Sequence, residues 1–307
     1  MKLINPIDVN DTVLTSSTIP EPDASQGEVL WSPGAYVVGD EVIKTETHRR
    51  YRCAVATSDD PESGVGATPP TWVDIGATNR YAMFDDKNGS KSIDTNTLEV
   101  ELTPNQVYTA LAMFYVNGAE SIQVVMTDPV DGIVYDETIS MLDNQDIIDY
   151  YEWFFYPIIN ITEFLLTDLP TYINATLKIT ITGGGSVEVG SAPFGAQSTL
   201  GVANYGTSFD LIDLSKKEQD EFGNYTIRTR PASDVVDFDV SVPRARTRYV
   251  RNLVATYRNK PVVWIGGGES DSQDSSSIFT FGYYKSFRVN IDSPSICSAT
   301  LQVEELV

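Results

Sequence analysis

The most constraining feature of this sequence is a series of short β-favouring runs that recurs along most of its length. Between residues 80 and 195 these runs include VYTALAMFYV, SIQVVMTD, GIVYDETIS and ATLKITITG. Apolar and polar residues mostly alternate within them, and Asp, Asn, Gly and Pro separate them, which is typical of strands. Asp131 and Gly132 lie between two runs, a strong signal for a hairpin turn. The pattern predicts a mainly β protein with a β-sandwich or jelly roll at residues 78–195.

Chain length and turn-rich stretches predict further divisions. The chain has 307 residues, which exceeds one typical domain of about 150 residues. The breaker-rich run PEPDASQG predicts a linker, so residues 1–28 are interpreted as an N-terminal arm and linker. The arm has too few apolar residues for a core, and we expect it to lie on a neighbouring subunit. Residues 29–77 predict a small β domain, and residues 196–307 predict a C-terminal β-rich domain.

One segment of the C-terminal domain has helical rather than strand periodicity. Near residues 243–258, Val250, Leu253, Val254 and Tyr257 are spaced at i, i+3, i+4 and i+7. This spacing places four apolar side chains on one face, so the segment predicts one amphipathic helix.

The same segment is basic, although the chain carries 43 acidic against 21 basic residues and a formal net charge of −22. Two interpretations are open: a solvated helix face that balances charge, or a docking strip for an acidic neighbour such as another copy of this chain. The candidate assembly residues are Arg244, Arg246, Arg248, Arg251 and Arg258.

Charge and apolar patterning also exclude classes of partner. A strongly acidic surface repels phosphate and anionic lipid, which argues against nucleic acid as a partner. No run approaches the roughly 20 apolar residues of a membrane span, and the N-terminus lacks the apolar run of a signal sequence. The sequence therefore predicts assembly in a cytoplasm without membrane insertion.

Residues that commonly carry catalysis or bind metal are scarce. Cys53 and Cys297 lack the spacing of a zinc cluster, and His48 is the one histidine in the chain. No nucleophile elbow, phosphate-binding loop or dinucleotide fingerprint is present. The sequence predicts a non-enzymatic protein with no catalytic residue, metal or cofactor, and with buried cysteines.

A dense aromatic cluster lies within the run DNQDIIDYYEWFFYPI and extends from Tyr150 to Tyr156. Such clusters commonly form part of a core or of a strand that crosses one. We therefore expect these aromatic side chains to be buried.

Residues 29–77 resemble the small carbohydrate-binding modules attached to bacterial chitinases. The resemblance rests on a series of aromatic and turn residues: Trp31, Tyr36, Gly39, Asp40, Val42, Tyr51 and Trp72. It implies that aromatic rings stack on sugar, with Tyr36, Trp72, Trp31 and Tyr51 as candidate carbohydrate-binding residues. A domain this small cannot expose all four rings, so we expect Trp31 and Tyr51 to build its core and Tyr36 and Trp72 to be exposed.

Taken as a whole, the chain resembles structural proteins of the virions of tailed bacteriophages and prophages. Segments that carry this resemblance are LTSSTIPEPD, TNRYAMFDDKNGS, KKEQDEFGNYTIRTR and FGYYKSFRVNI. It implies a galactose-binding-type jelly roll in the middle region and a C-terminal part similar to β-rich tail-tip and baseplate proteins.

The same resemblance implies a non-enzymatic structural component of the virion at the tail tip or baseplate. Its expected partners are other virion proteins, further copies of itself in a ring, and glycan on the host surface. The alternative from another class is a secreted polysaccharide-binding module, or an accessory part of a glycan hydrolase.

Overall fold

The fold is mainly β, as the sequence predicts, with short helices at a few connections. The structure is a computed structural model, which describes residues 1–87, 89–143, 149–155, 159–219, 221–230, 232–267 and 278–306. The described strands form five antiparallel sheets, and the two largest contain ten and five strands.

The strands of the N-terminal half are, in chain order, β1 (Lys2–Pro6), β2 (Leu14–Ser17), β3 (Glu41–Lys44), β4 (Arg49–Cys53), β5 (Trp72–Ala77), β6 (Ser92–Leu102), β7 (Ala110–Met113), β8 (Ser121–Asp128), β9 (Gly132–Ser140) and β10 (Leu142–Asp143). Those of the C-terminal half are β11 (Ile159–Asn160), β12 (Phe164–Leu166), β13 (Thr176–Val189), β14 (Phe194–Thr199), β15 (Val202–Ala203), β16 (Ser208–Asp213), β17 (Lys216–Gln219), β18 (Tyr225–Arg228), β19 (Ala232–Pro243), β20 (Val262–Ile265), β21 (Phe279–Asn290) and β22 (Ile296–Glu305). The α-helices are α1 (Pro61–Val65), α2 (Tyr150–Phe155) and α3 (Thr247–Thr256), and 3-10 turns lie at Ala24–Gln26, Ala82–Phe84 and Arg244–Arg246.

A β-sandwich forms the middle of the molecule, which confirms the predicted sandwich-like architecture. Its first layer is the five-stranded sheet in the order β2-β6-β13-β8-β9. Alternate residues of β6, β8 and β13 point into a core that they share with β7, β12 and β14 at one end of the large sheet. The period of two along these strands thus produces one buried face, as the alternating sequence indicates.

The two strands of the N-terminal arm belong to this chain's own sheets, and the expectation that the arm lies on a neighbour is wrong for them. Strand β1 is inserted between β14 and β20, and β2 pairs with β6. Leu3 and Ile4 point to opposite faces of the sheet, and both are completely buried. A strand buried on both faces needs no core of its own, because its neighbours supply one. The boundaries at residues 28, 77 and 195 stay predictions.

The breaker-rich linker is fastened to the start of the sandwich by buried hydrogen bonds. The Asn79 side-chain amide donates to Asp23 Oδ2 at 2.7 Å, and the Asn79 backbone N–H donates to Glu28 Oε1 at 2.7 Å. The Asp23 backbone N–H also donates to Glu28 Oε2 at 2.8 Å. Asp23, Glu28 and Asn79 are all buried, so this polar network holds the small β domain in place.

Helix α3 packs on the large sheet through the face that its sequence predicts. Val250, Val254 and Tyr257 are buried in a cluster with Trp264 of β20, and Leu253 packs against the same cluster. The helical periodicity is therefore confirmed, and the opposite face of α3 is left exposed to solvent.

Candidate functional site

The aromatic set of residues 29–77 is mainly a small core. The three-stranded sheet β3-β4-β5 buries Tyr51, as predicted, together with Val42, Cys53 and Trp72. The expectation that Trp72 is exposed is wrong, because its side chain has no exposed area and its indole N–H donates to the Asp59 carbonyl at 3.1 Å.

A glycine explains how Trp72 is covered. Helix α1 crosses the indole at Gly64, where an added Cβ would lie 2.3 Å from Trp72 Cδ1. The absence of a side chain at Gly64 therefore allows the helix to seal the ring from solvent. A ring sealed in this way has no free face on which a sugar could stack.

Trp31 and Tyr36 are half-buried, and they are the two candidate rings that retain exposed area. The edge of Tyr36 packs against Trp72 with ring centroids 5.1 Å apart. Lys44 Nζ lies 5.5 Å from the Trp31 ring centroid and is held there by Asp60, at 2.9 Å. One face of Trp31 is thus already in a cation–π contact, which reduces the aromatic surface available to a ligand.

The aromatic cluster between the sandwich strands is exposed, contrary to the expectation from sequence. Helix α2 carries Tyr151 and Phe155 four residues apart, with ring centroids 4.7 Å from each other. Trp153 on the same helix is 64% exposed. Tyr156, at the end of the cluster, lies outside the described residues. Exposed aromatic patches of this kind mark surfaces that bind another molecule.

The five candidate arginines are all exposed, but they do not form one strip. Arg246 lies over the Tyr249 ring at 5.4 Å and donates to the Thr199 carbonyl at 3.5 Å. Arg258 lies beyond the end of α3. Arg244, Arg248 and Arg251 are spaced at i, i+4 and i+7 and share one helical side.

These three arginines line a cleft of about 690 Å³ between α3 and the turn that joins β21 to β22. We call it the arginine cleft. Its apolar lining includes Ile291, which is 67% exposed, and Cys297, which is buried. The cleft therefore combines three guanidinium groups with an apolar wall, and its volume is typical of binding pockets.

No acidic side chain in the part of the chain that the structure describes forms an ion pair with Arg244, Arg248 or Arg251. Arginine is suited to carboxylates because its planar guanidinium can donate two parallel hydrogen bonds. The arrangement can therefore bind a carboxylate or another anion that comes from outside this chain.

A second exposed surface was not recognised from the sequence. Strand β16 pairs with the first half of β19, and the hairpin β17-β18 follows it. Every residue of β16, β17 and β18 is exposed, so this segment has no core on either face. We call residues 208–219 and 221–230 the ribbon.

The ribbon exposes large apolar side chains in pairs along its strands. Phe209 and Leu211 are two positions apart on β16, and Tyr225 and Ile227 are two positions apart on β18. Phe209 is 68% exposed. Their alternation predicts a buried face, but sequence alone did not reveal that no described segment of this chain covers it. An isolated two-stranded hairpin is marginally stable in water, so these side chains favour a covering partner.

Three carboxyl groups meet where β12, β19 and β22 approach one another. Burial raises the pKa of Glu163 to about 7, and the negative charges of Glu305 and Asp234 add to the effect. Burial also raises the pKa of Glu305, which accepts hydrogen bonds from the Tyr115 hydroxyl at 2.5 Å and from the Asp234 backbone N–H at 3.0 Å. A carboxyl with this pKa can exchange protons near neutral pH, but Glu163 does not line the arginine cleft.

Both cysteines are buried thiols, as predicted. Burial is the main reason that the pKa of Cys53 is raised, and the charge of Asp40 adds to it. In the described residues, no group of three or more His, Cys, Asp or Glu side chains is placed to hold a metal ion. Within the same described ranges, no helix is long and apolar enough to cross a membrane.

Comparison of the chain with protein-family models, with curated proteins and with solved structures found no match.

Proposed function

We propose that this chain is a non-enzymatic structural component of a tailed-phage virion, at the tail tip or baseplate, that assembles with other virion proteins. The observation that carries the proposal is the ribbon, which has no core and exposes seven large apolar side chains. A monomer that exposes this surface to water lacks the stabilisation of burial, which is about 2 kcal/mol for each large apolar side chain. In an assembly, the neighbouring subunit covers it.

Helix α2 supports the same proposal. Its aromatic side chains, among them Trp153, are exposed at a second place on the sandwich. Aromatic residues are enriched where protein interfaces are most tightly packed. A subunit with several neighbours requires several such surfaces.

The experiment tests whether the chain is present in phage particles and at which position. Antibody raised against the purified protein and coupled to gold is applied to particles from the culture that produces it, and the label is located by electron microscopy. We expect the label at one end of the tail. Particles that carry no label, while the protein is recovered free, would refute the virion role.

A pair of variants tests the ribbon itself. Replacing Phe209 and Leu211 with Thr retains β propensity while removing the apolar surface, and should leave the protein out of the particles. The matched control replaces Val130 and Ile133 with Thr, since these are equally exposed apolar residues at the β8-β9 hairpin. Equal incorporation of both variants would show that the ribbon is not an assembly surface.

A glycan-binding role is the second candidate, and it rests on the exposed parts of Trp31 and Tyr36. As a virion component, the chain would use these rings to contact glycan on the host surface. As a secreted polysaccharide-binding module, the isolated monomer would bind glycan without assembling. Titration of the purified chain with chitin oligosaccharides separates the two: binding by a monomer whose ribbon variants remain active favours the secreted module.

A further inference from the structure

We propose that the tip of the ribbon docks in the arginine cleft of a second copy of this chain, which builds a head-to-tail contact. The inference rests on the proposed function, because it assigns a partner to surfaces that assembly requires. The ribbon tip, residues 221–224, is the described part of the connection between β17 and β18.

The chemistry of the two surfaces is complementary. The tip presents Phe222, which is 87% exposed, directly after the exposed carboxylate of Glu221. The cleft presents three guanidinium groups beside the apolar Ile291. In the docked state an aromatic ring contacts the apolar wall and a carboxylate contacts arginine. Contacts of these two kinds contribute much of the binding energy in protein interfaces.

The charge of the chain also favours another copy as the partner. Residues 243–260 contain six basic and no acidic residues, so the remainder is even more acidic than the formal net charge of −22. Two acidic proteins repel each other on average, and an oriented contact through the basic cleft lowers that repulsion.

The tip and the cleft of one chain belong to opposite ends of β19. The ribbon leaves the sheet at Ala232, whereas the cleft lies beyond Pro243 at the other end of the same strand. This strand spans about 36 Å at about 3.3 Å per residue. The backbone of the hairpin from Asp213 to Phe222 spans at most about 30 Å, which is shorter than β19 and favours a contact with another copy.

Two surfaces at opposite ends of one strand make a heterologous contact. In such a contact each copy donates its tip to one neighbour and its cleft to another, which generates rings when the rotation closes. A copy with a disabled cleft and a copy with a disabled tip should therefore still form one contact with each other. The first copy retains an intact tip, and the second retains an intact cleft.

The test uses that property with two full-length variants. The cleft variant carries Arg244→Gln, Arg248→Gln and Arg251→Gln, and the tip variant carries Glu221→Gln and Phe222→Ala. Sedimentation velocity should show each variant alone associating about 10- to 100-fold more weakly than the wild-type chain. Their mixture should form a dimer of one copy each and no larger species.

A matched charge control removes three exposed basic side chains outside the cleft, with Lys87→Gln, Lys260→Gln and Arg288→Gln. This variant should self-associate like the wild type at about 0.1 M salt, where charges further apart than about 10 Å are screened. All changed side chains are exposed, and unchanged thermal melts check that each variant folds.

The outcomes separate this proposal from the proposed function. Self-association that the cleft and tip variants leave unchanged, or a mixture that stays monomeric, overturns the docking while the virion role stands on the particle labelling. A wild-type chain that stays monomeric at every concentration also overturns the docking to a second copy. Weakening by the charge control equal to that of the cleft variant would show a bulk charge effect and likewise overturn it.

Discussion

The raised pKa of Glu163 makes the folded protein less stable as the pH rises, and Glu163→Gln should remove that effect. The pKa of this carboxyl is raised from 4.5 to about 7, mainly because the group is buried and also because Glu305 and Asp234 are nearby. At about 1.4 kcal/mol per pKa unit, this rise corresponds to about 3 kcal/mol. Glutamine has nearly the same shape and never ionises.

The sign follows from proton binding by the two states. Below pH 4.5 the carboxyl of Glu163 is protonated in the folded and unfolded chain, so burial of the charge costs nothing. Between pH 4.5 and about 7 the unfolded chain releases this proton while the folded chain keeps it, and the stability falls. Above about pH 7 the folded chain carries the buried charge, and the full cost is present.

The assay is urea unfolding of the wild type and of Glu163→Gln at several pH values from 5 to 9, about the range in which proteins are most stable, followed by circular dichroism. The free energy of unfolding of the variant should differ least from that of the wild type at the low end and should exceed it by about 3 kcal/mol at the high end. Glu46→Gln, at an exposed glutamate in the β3-β4 turn, is the control and should show no such divergence. A difference that does not change with pH would refute the reasoning.

Three further substitutions test the packing. Gly64→Ala should destabilise the small β domain by about 1–3 kcal/mol in a thermal melt, because its Cβ would overlap Trp72. Gly66→Ala is the control and should leave the melt unchanged, because its Cβ would make only an ordinary van der Waals contact, 3.8 Å from the Ser63 carbonyl oxygen. Trp72→Ala should cost about 3–5 kcal/mol and expose residues 29–77 to limited proteolysis; an intact domain would show that the indole is not its core. Leu3→Ala should cost about 2–5 kcal/mol in urea unfolding, and a loss below about 0.5 kcal/mol would show that β1 is not a central strand.

Local sequence patterns correctly predicted the elements that bury one face, because a single buried face imposes a regular spacing on the apolar residues. The alternation in SIQVVMTD correctly predicts β8, because one face of that strand meets the sandwich core. The helical spacing of Val250 and Val254 likewise predicts the buried face of α3. In both elements the residues that decide burial lie within a few positions of one another, so a short stretch of sequence contains the information.

Surfaces that depend on distant segments could not be predicted in this way. The aromatic residues of α2 have core-like composition, but no other described part of the chain covers Trp153. The basic composition of the segment identified the three arginines of the cleft as candidates. Only the positions of Tyr249 and of the turn after β21 show that these three line a cleft and that Arg246 does not.

The sequence by itself determined that this chain is mainly β, where its amphipathic helix lies, and that its basic charge is concentrated there. Only the tertiary structure decided that β1 fills the centre of a sheet whose neighbours, β14 and β20, lie about 200 residues or more along the chain. It also decided that Trp72 is sealed by Gly64, and that the ribbon is exposed on both faces. The physical reason is that burial is a property of what packs against a residue, and strand pairing brings together residues whose separation leaves no local signal.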